Sequence, residues 1–126
     1  MPTKLSPKRI LCVEDDLDTC NLIKNVLQPY QFSCARSYAE AWQLYNSDKY
    51  SLIIIDYHLE DGNGLDLCER IRQEDFLTPV VFITGDPNFS ESDARMAGGQ
   101  RLITKGSPNF IDDLYSTAAG LAINVG

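Results

Sequence analysis

The sequence predicts a three-layer α/β domain, in which a doubly wound, five-stranded parallel sheet lies between two layers of helices. Three observations predict it. Five short apolar runs recur along the chain, and each is followed by apolar residues at helical spacing. Residues 52–55 and 80–83 are apolar at every position, as in strands that are covered on both faces. Polar residues directly follow several of the runs.

The first half of the chain supplies two strand–helix units. Residues 10–13 predict the first strand, and residues 16–28 predict the first helix, because apolar side chains recur there every three or four positions until Pro29 ends the pattern. Residues 32–35 predict the second strand. The second helix is marked by Ala39, Trp42 and Tyr45.

The second half supplies three more units. Residues 52–55 predict the third strand, residues 80–83 the fourth and residues 102–104 the fifth. Residues 61–64 predict a turn, and residues 90–97 a short fourth helix. The third and last helices are marked by Leu65, Cys68 and Ile71, and by Ile111, Leu114, Tyr115, Ala118 and Ala122.

Length and charge limit the classes of protein to consider. The chain has 126 residues, which predicts one domain over residues 9–122, with a leader at residues 1–8 and a tail at residues 123–126. A net charge of -7 disfavours direct binding to nucleic acid. The longest apolar run is too short to cross a bilayer, so we expect no membrane insertion and a cytoplasmic location.

The four cysteines suggest no metal site. None is spaced Cys-x-x-Cys, and His58 is the only histidine in the sequence, so a zinc site has no support. We expect all four to be buried and reduced, acting as small hydrophobic residues.

Charged and hydroxyl side chains cluster where strands end, and the carboxyl edge of such a sheet binds ligands. With a flavodoxin-like strand order of 2-1-3-4-5, the acids after the first and third strands converge. Three carboxylates and one ammonium then carry a net charge of -2. A Mg²⁺ ion would balance this charge, and the carboxylate oxygens are ligands that it prefers. The side chains concerned are Glu14, Asp15, Asp56, Thr84 and Lys105, while Asp16 is expected to cap the first helix.

Four segments in this order resemble response-regulator receiver domains. They are residues 10–16, residues 53–59 with Gly64 after them, residues 81–85, and residues 97–105. The resemblance runs from about Arg9 to the last helix. It implies a phosphoacceptor in a two-component or phosphorelay system, which receives its phosphoryl group from a histidine kinase or a phosphotransfer protein. It also implies an unknown downstream protein and a possible homodimer.

The resemblance assigns a role to each site residue. Asp56 is the phosphorylated nucleophile, and Mg²⁺ is held by the side chains of Asp15 and Asp56 and by the backbone carbonyl of His58. Glu14 holds a metal-bound water. Thr84 and Lys105 contact the phosphoryl group, and the movement of Thr84 towards it is the expected switch. Such a domain catalyses only its own phosphorylation and autodephosphorylation.

Three positions depart from the pattern of the family. Leu102 stands where an aromatic ring usually moves with the threonine, so Leu102 cannot report the switch in that way. Gly106 stands where the family usually has a proline, often after a cis bond. A cis bond without proline costs about 2.5–4 kcal/mol, so we expect the Lys105–Gly106 bond to be trans. Glu60 stands where proline is frequent.

Two other functions are weighed beside this one. A receiver-like interaction module that works without phosphorylation is favoured slightly by Leu102 and Gly106, and disfavoured by the complete set of acids and lysine. A phosphatase often needs a second acid two positions after the nucleophile, where this chain has His58. The side chains of His58 and Asp86 either influence the lifetime of the phosphoryl group or are plain exposed loop residues.

Overall fold

Five parallel strands form the central sheet, in the order β2-β1-β3-β6-β7. The computed structural model describes residues 8–124. In chain order its elements are β1 (Arg9–Val13), α1 (Leu17–Val26), β2 (Gln31–Ala35), α2 (Tyr38–Ser47), β3 (Leu52–Asp56), β4 (His58–Leu59), β5 (Gly62–Asn63), α3 (Gly64–Arg72), β6 (Val80–Thr84), α4 (Glu91–Met96), β7 (Arg101–Thr104) and α5 (Phe110–Asn124). The predicted fold class and strand order are confirmed. The prediction missed the antiparallel pair β4–β5, which lies around the predicted turn.

Alternate side chains of each strand enter two separate hydrophobic cores. Leu11 and Ile53 point to the face covered by α2, α3 and α4, and Ile10 and Ile54 point to the face covered by α1 and α5. All four are fully buried. Burial on both faces explains why the strands read as continuous apolar runs.

The helices that follow β1 and the β4–β5 pair begin at side-chain caps. The Asp16 carboxylate accepts hydrogen bonds from the backbone N–H and the hydroxyl of Thr19, at 3.2 and 2.6 Å, so its predicted capping role is confirmed. The Asn63 side chain accepts from the Asp66 N–H at 2.9 Å and starts α3. Each cap fixes a helix just beyond the carboxyl edge of the sheet.

The cysteine prediction was wrong for two of the four residues. Cys20 on α1 and Cys34 on β2 form a disulfide, with 6.8 Å between their Cα atoms. Cys12 and Cys68 are free and buried, as expected. The pairing has no local sequence signature, because it arises only when α1 packs against β2.

The predicted ends of the chain lie mostly outside the described residues. This applies to the leader at residues 1–8 except residue 8, and to the last two residues of the tail at residues 123–126. The boundary at residue 122 remains a prediction. Within residues 8–124, no helix has the length and apolar composition needed to span a bilayer.

Candidate functional site

Two adjacent strands bring three carboxylates together at the carboxyl edge of the sheet. Glu14 and Asp15 follow β1, and Asp56 is the last residue of β3, which pairs with β1. One carboxylate oxygen from each of the three lies within 4.8 Å of the others. Glu14 is fully buried and Asp56 is 5% exposed. The acids that the sequence placed at one edge therefore share a single pocket.

The ammonium of Lys105, which follows β7, enters the same pocket. Its Nζ donates a hydrogen bond to Asp56 Oδ2 at 2.8 Å. The same Nζ lies 2.7 Å from Glu14 Oε2, as an ion pair that lacks the alignment of a hydrogen bond. One ammonium thus faces two buried carboxylates, with a third beside them.

Burial and crowding shift the protonation of this pocket. Burial raises the pKa of Glu14 to about 7, and the nearby Asp56 charge adds to this effect. The contact with the Lys105 ammonium and the hydrogen bond from the Asp16 N–H oppose it. Burial also works to lower the pKa of Lys105, but its contacts with Asp56 and Glu14 outweigh burial, so this pKa lies above its usual value. The pocket therefore favours added positive charge.

The residues present fit a small, hard cation. Carboxylate oxygens are ligands that Mg²⁺ prefers, and it commonly uses one or two of them together with water. Three carboxylates against one ammonium leave a formal charge of -2. The donor set, three carboxylates within 4.8 Å of one another, is therefore suited to a divalent cation.

The hydroxyl of Thr84, the last residue of β6, lies at the same edge. It is 2% exposed, and its oxygen accepts a hydrogen bond from the Asp86 N–H at 2.9 Å. This bond directs the loop after β6 over the carboxyl edge.

His58 on β4 and Asp86 after β6 are in contact beside the site. His58 Nε2 lies 2.9 Å from Asp86 Oδ2, with side chains 66% and 24% exposed. The His58 N–H donates to Asp56 Oδ1 at 3.3 Å, so the backbone at this position also touches the site. The sequence placed both side chains near the pocket, but their contact depends on loop conformations that it does not determine.

Gly64 lies against the backbone of the central acid. Its N–H donates to the Tyr57 carbonyl at 2.7 Å. A Cβ atom here would lie 2.5 Å from the Asp56 carbonyl oxygen and 2.8 Å from Ile55 Cγ2. Only glycine therefore lets α3 begin so close to the end of β3.

Two of the positions that depart from the family pattern, Leu102 and Gly106, lie in β7 and the loop after it, and the third, Glu60, lies between β4 and β5. Leu102 is opposite Phe82 in the sheet and packs, half-buried, on the core beneath α2, α3 and α4. The Lys105–Gly106 bond is trans, as predicted. Arg36 was not predicted as a site residue, but its guanidinium donates to the Asp15 carbonyl at 3.3 Å. Its position directly after the second strand was the available signal.

The sequence profile of the response regulator receiver domain matches residues 10–115. The chain belongs to this family. The matched range includes every residue of the pocket, from Glu14 to Lys105. The observed strand order agrees with that of receiver domains.

Receiver-domain relatives agree with this assignment. The chain is 28% identical over 119 residues to the transcriptional regulatory protein TrcR of Mycobacterium tuberculosis, covering 92% of this chain and 46% of TrcR. It is 32% identical over 103 residues to the response regulator RppA of Synechocystis, covering 77% of this chain and 44% of RppA. It therefore spans about half the length of these relatives. A two-component response regulator from Clostridium difficile superposes with a TM-score of 0.84 at 27% identity, covering 94% and 98% of the two chains.

Proposed function

We propose that this receiver domain accepts a phosphoryl group on Asp56 in a Mg²⁺-dependent reaction and thereby changes its binding to a partner protein. The observation that carries the proposal is the Lys105–Asp56 contact of 2.8 Å inside a pocket that also contains Glu14 and Asp15. A nucleophile, a cluster of metal-binding oxygens and a fixed ammonium are the parts that phosphoryl transfer to a carboxylate needs.

An oxygen of the Asp56 carboxylate attacks the phosphorus atom, and the bond from phosphorus to the leaving group of the donor breaks. Lys105 keeps its proton and balances charge on the transferred group. Asp15, Asp56 and the His58 carbonyl would hold Mg²⁺, and Glu14 would hold one of its waters. The ion supplies further charge neutralisation when bound.

The switch we propose begins at Thr84. A phosphoryl group on Asp56 adds roughly one negative charge, since a phosphate monoester carries about -1.5 to -2. The Thr84 hydroxyl accepts the Asp86 N–H through its oxygen, and its own proton can donate to a phosphoryl oxygen. Movement of the hydroxyl towards the phosphoryl group would therefore pull on the loop after β6. Strand β7, which pairs with β6, carries Leu102 and therefore has no aromatic ring at this position that could move with Thr84. We propose that the signal leaves mainly through the loop after β6.

The partners follow from the same chemistry. We propose a histidine kinase or a phosphotransfer protein as phosphodonor, and a downstream protein that distinguishes the two states, with a homodimer as one form of output. We propose a cytoplasmic location and a domain over residues 9–122. The domain would catalyse its own phosphorylation and autodephosphorylation, without turnover of other substrates.

Intact-mass measurement with a small acyl-phosphate donor tests the proposal. Wild-type protein should gain one phosphoryl group with Mg²⁺, and should lose the label when the donor is removed while Mg²⁺ is kept. Asp56→Asn should gain none, whereas the control Asp66→Asn, an exposed acid on α3, should label like wild type. Equal labelling of Asp56→Asn, or no label on the wild type, would refute phosphorylation at Asp56. Partner binding unchanged in Asp56→Ala would instead support an interaction module without phosphorylation.

A further inference from the structure

Three of the four cysteines share one face of the sheet. Cys12, Cys20 and Cys34 contribute to the core between the sheet and helices α1 and α5, whereas Cys68 belongs to the opposite core. Cys12 and Cys34 are paired neighbours on β1 and β2. This grouping puts three cysteine side chains in one layer of the protein, outside the acid pocket.

Two of these cysteines are placed to react with each other. Cys34 is half-buried on β2, which is an edge strand of the sheet, so small oxidants can reach it from solvent. Cys20 is 3% exposed on α1 and is joined to Cys34 across a Cα–Cα distance of 6.8 Å, within the range that a disulfide spans. Cys12 is fully buried behind the edge strand. Accessibility therefore favours Cys34 as the first thiol to be oxidised and Cys20 as its partner.

The pair lies on both sides of the acid segment, residues 14–16. The Glu14 N–H donates to the Ala35 carbonyl at 2.9 Å, one residue after Cys34, and Arg36 contacts the Asp15 carbonyl at 3.3 Å. On the other side α1 begins at Leu17, directly after the acids. A covalent bond from α1 to β2 therefore joins the two elements that hold this segment.

We propose that Cys20 and Cys34 form a reversible redox site, in which a peroxide closes the disulfide and restrains α1 against β2. A disulfide that ends on a half-buried cysteine of an edge strand is open to reductants as well as oxidants, which fits a reversible pair. The site acts on protein geometry whether or not Asp56 is phosphorylated, so it does not rest on the proposed function.

The chemistry balances with a peroxide as the oxidant. The Cys34 thiolate attacks one peroxide oxygen, the O–O bond breaks, and a sulfenic acid and one water result after proton transfer. The Cys20 thiol then gives up its proton as its sulfur attacks the sulfenic sulfur, the S–O bond breaks, and the departing hydroxide takes that proton to leave as a second water. The two thiols lose two electrons, which the peroxide gains. A dithiol reductant reverses the change by thiol–disulfide exchange.

Non-reducing peptide mapping tests the proposal on protein first reduced with dithiothreitol and then treated with hydrogen peroxide. We expect a linked peptide joining Cys20 to Cys34, a loss of two hydrogens from the intact mass, and recovery of four free thiols after dithiothreitol. Cys34→Ser and Cys20→Ala should each prevent the link. Cys68→Ala, on the opposite face, is the matched control and should form it, as should Asp56→Asn.

Restraint of α1 is measured separately by hydrogen exchange and melting. The oxidised wild type should exchange the amides of α1 more slowly than the reduced form and melt roughly 5–10 °C higher, because closing the loop restricts the unfolded chain. Both differences should be absent in Cys34→Ser. A Cys12–Cys34 link, four thiols remaining after peroxide, or equal exchange of α1 in the two forms would each overturn the proposal.

Discussion

The ammonium of Lys105 donates a hydrogen bond to the carboxylate of Asp56 at 2.8 Å, although 49 residues separate them in the chain. The same ammonium lies 2.7 Å from Glu14. The carboxyl ends of β1 and β3, and the loop after β7, therefore depend on one cation for charge balance. This arrangement makes Lys105 the residue whose removal best separates metal binding from phosphoryl transfer.

Lys105→Met should strengthen the binding of Mg²⁺ and slow phosphoryl transfer to Asp56. Losing the ammonium removes repulsion against a divalent cation, so Mg²⁺ should bind about tenfold more tightly. Phosphorylation by a small donor should slow by about 10²–10³-fold, because charge on the transferred group loses a fixed partner. Calorimetric titration and a mass-labelling time course measure the two effects. The exposed Lys49→Met is the control and should match wild type in both. Weaker Mg²⁺ binding in Lys105→Met would contradict the charge argument.

Mg²⁺ should stabilise the folded protein through the acid cluster. An ion at 100 times its dissociation constant adds about 2.7 kcal/mol to the free energy of unfolding, if it binds only the folded state. The melting temperature should therefore rise with Mg²⁺ at constant ionic strength. Asp15→Asn should lose most of this rise, whereas Asp18→Asn, an exposed acid on α1, should retain it. The same rise in Asp15→Asn would place the ion elsewhere.

Gly64→Ala should damage both stability and phosphorylation. The added Cβ atom would lie 2.5 Å from the Asp56 carbonyl oxygen, which belongs to the backbone and cannot rotate away. Overpacking of this kind costs about 1–3 kcal/mol, and relief by backbone movement would displace Asp56. Gly120→Ala, on an exposed position of α5 with no heavy atom within 4 Å, should instead stabilise by up to about 1 kcal/mol. Urea unfolding and mass labelling of both variants measure these effects. Wild-type stability and labelling in Gly64→Ala would contradict the steric argument.

The His58–Asp86 pair should affect the lifetime of the acyl phosphate more than the stability of the fold. The pair joins β4 to the loop after β6 at 2.9 Å, but His58 is largely exposed, and exposed polar contacts of this kind contribute at most about 1 kcal/mol. His58→Ala and Asp86→Ala should each let water reach the phosphoryl group and shorten its lifetime several-fold. Loss of the label after donor removal measures this. Glu91→Gln breaks another exposed pair, with Arg95, and should leave the lifetime unchanged. Unchanged lifetimes in both site variants would show that the pair does not restrict water.

Asp75 should make stability depend on pH at low pH. Its carboxylate accepts from the Leu77 and Thr78 N–H groups, both at 3.0 Å, from the Thr78 hydroxyl at 2.7 Å and from the Tyr45 hydroxyl at 3.1 Å. Burial opposes ionisation, but the hydrogen bonds outweigh it and lower the pKa of Asp75 below its usual value of 3.8. Because the folded-state pKa is depressed, this stabilisation is present above pH 3.8 and is lost as pH falls further.

Asp75→Asn measures this contribution by urea unfolding at two pH values. At pH 7 the variant should lose about 1–3 kcal/mol, because the half-buried Thr78 and Tyr45 donors lose a charged acceptor. Near pH 2 the difference from wild type should shrink. The neighbouring Glu74→Gln is exposed and should change little at either pH. If the free energy of unfolding differs between wild type and variant by the same amount at both pH values, the charge of Asp75 would not be the cause of the loss of stability.

The sheet and the acid cluster were predictable because they depend on patterns along the chain. The runs at residues 52–55 and 80–83 are buried on both faces, so every position is apolar, and this pattern is visible in the sequence. Asp56 and Thr84 end their strands, so the strand order alone brings their loops together. No side-chain geometry was needed for that step.

The remaining features depend on loop conformation and tertiary packing. The Cys20–Cys34 bond requires α1 to lie over β2, and the spacing of the two cysteines does not encode that placement. The His58–Asp86 contact joins two loops whose backbone angles the residue types leave open. The β4–β5 pair has only two residues in each strand, which is too short for a periodic signal.

Chemical trapping of the phosphorylated residue tests the central claim most directly. Borohydride reduces an acyl phosphate to an alcohol, so an aspartyl phosphate becomes homoserine, whereas a free carboxylate does not react. After treatment with donor and Mg²⁺, peptide mass spectrometry should find homoserine at position 56, and none when either is omitted. Aspartate unchanged at position 56 in protein that carries a phosphoryl group, or homoserine at another acid, would contradict phosphorylation of Asp56.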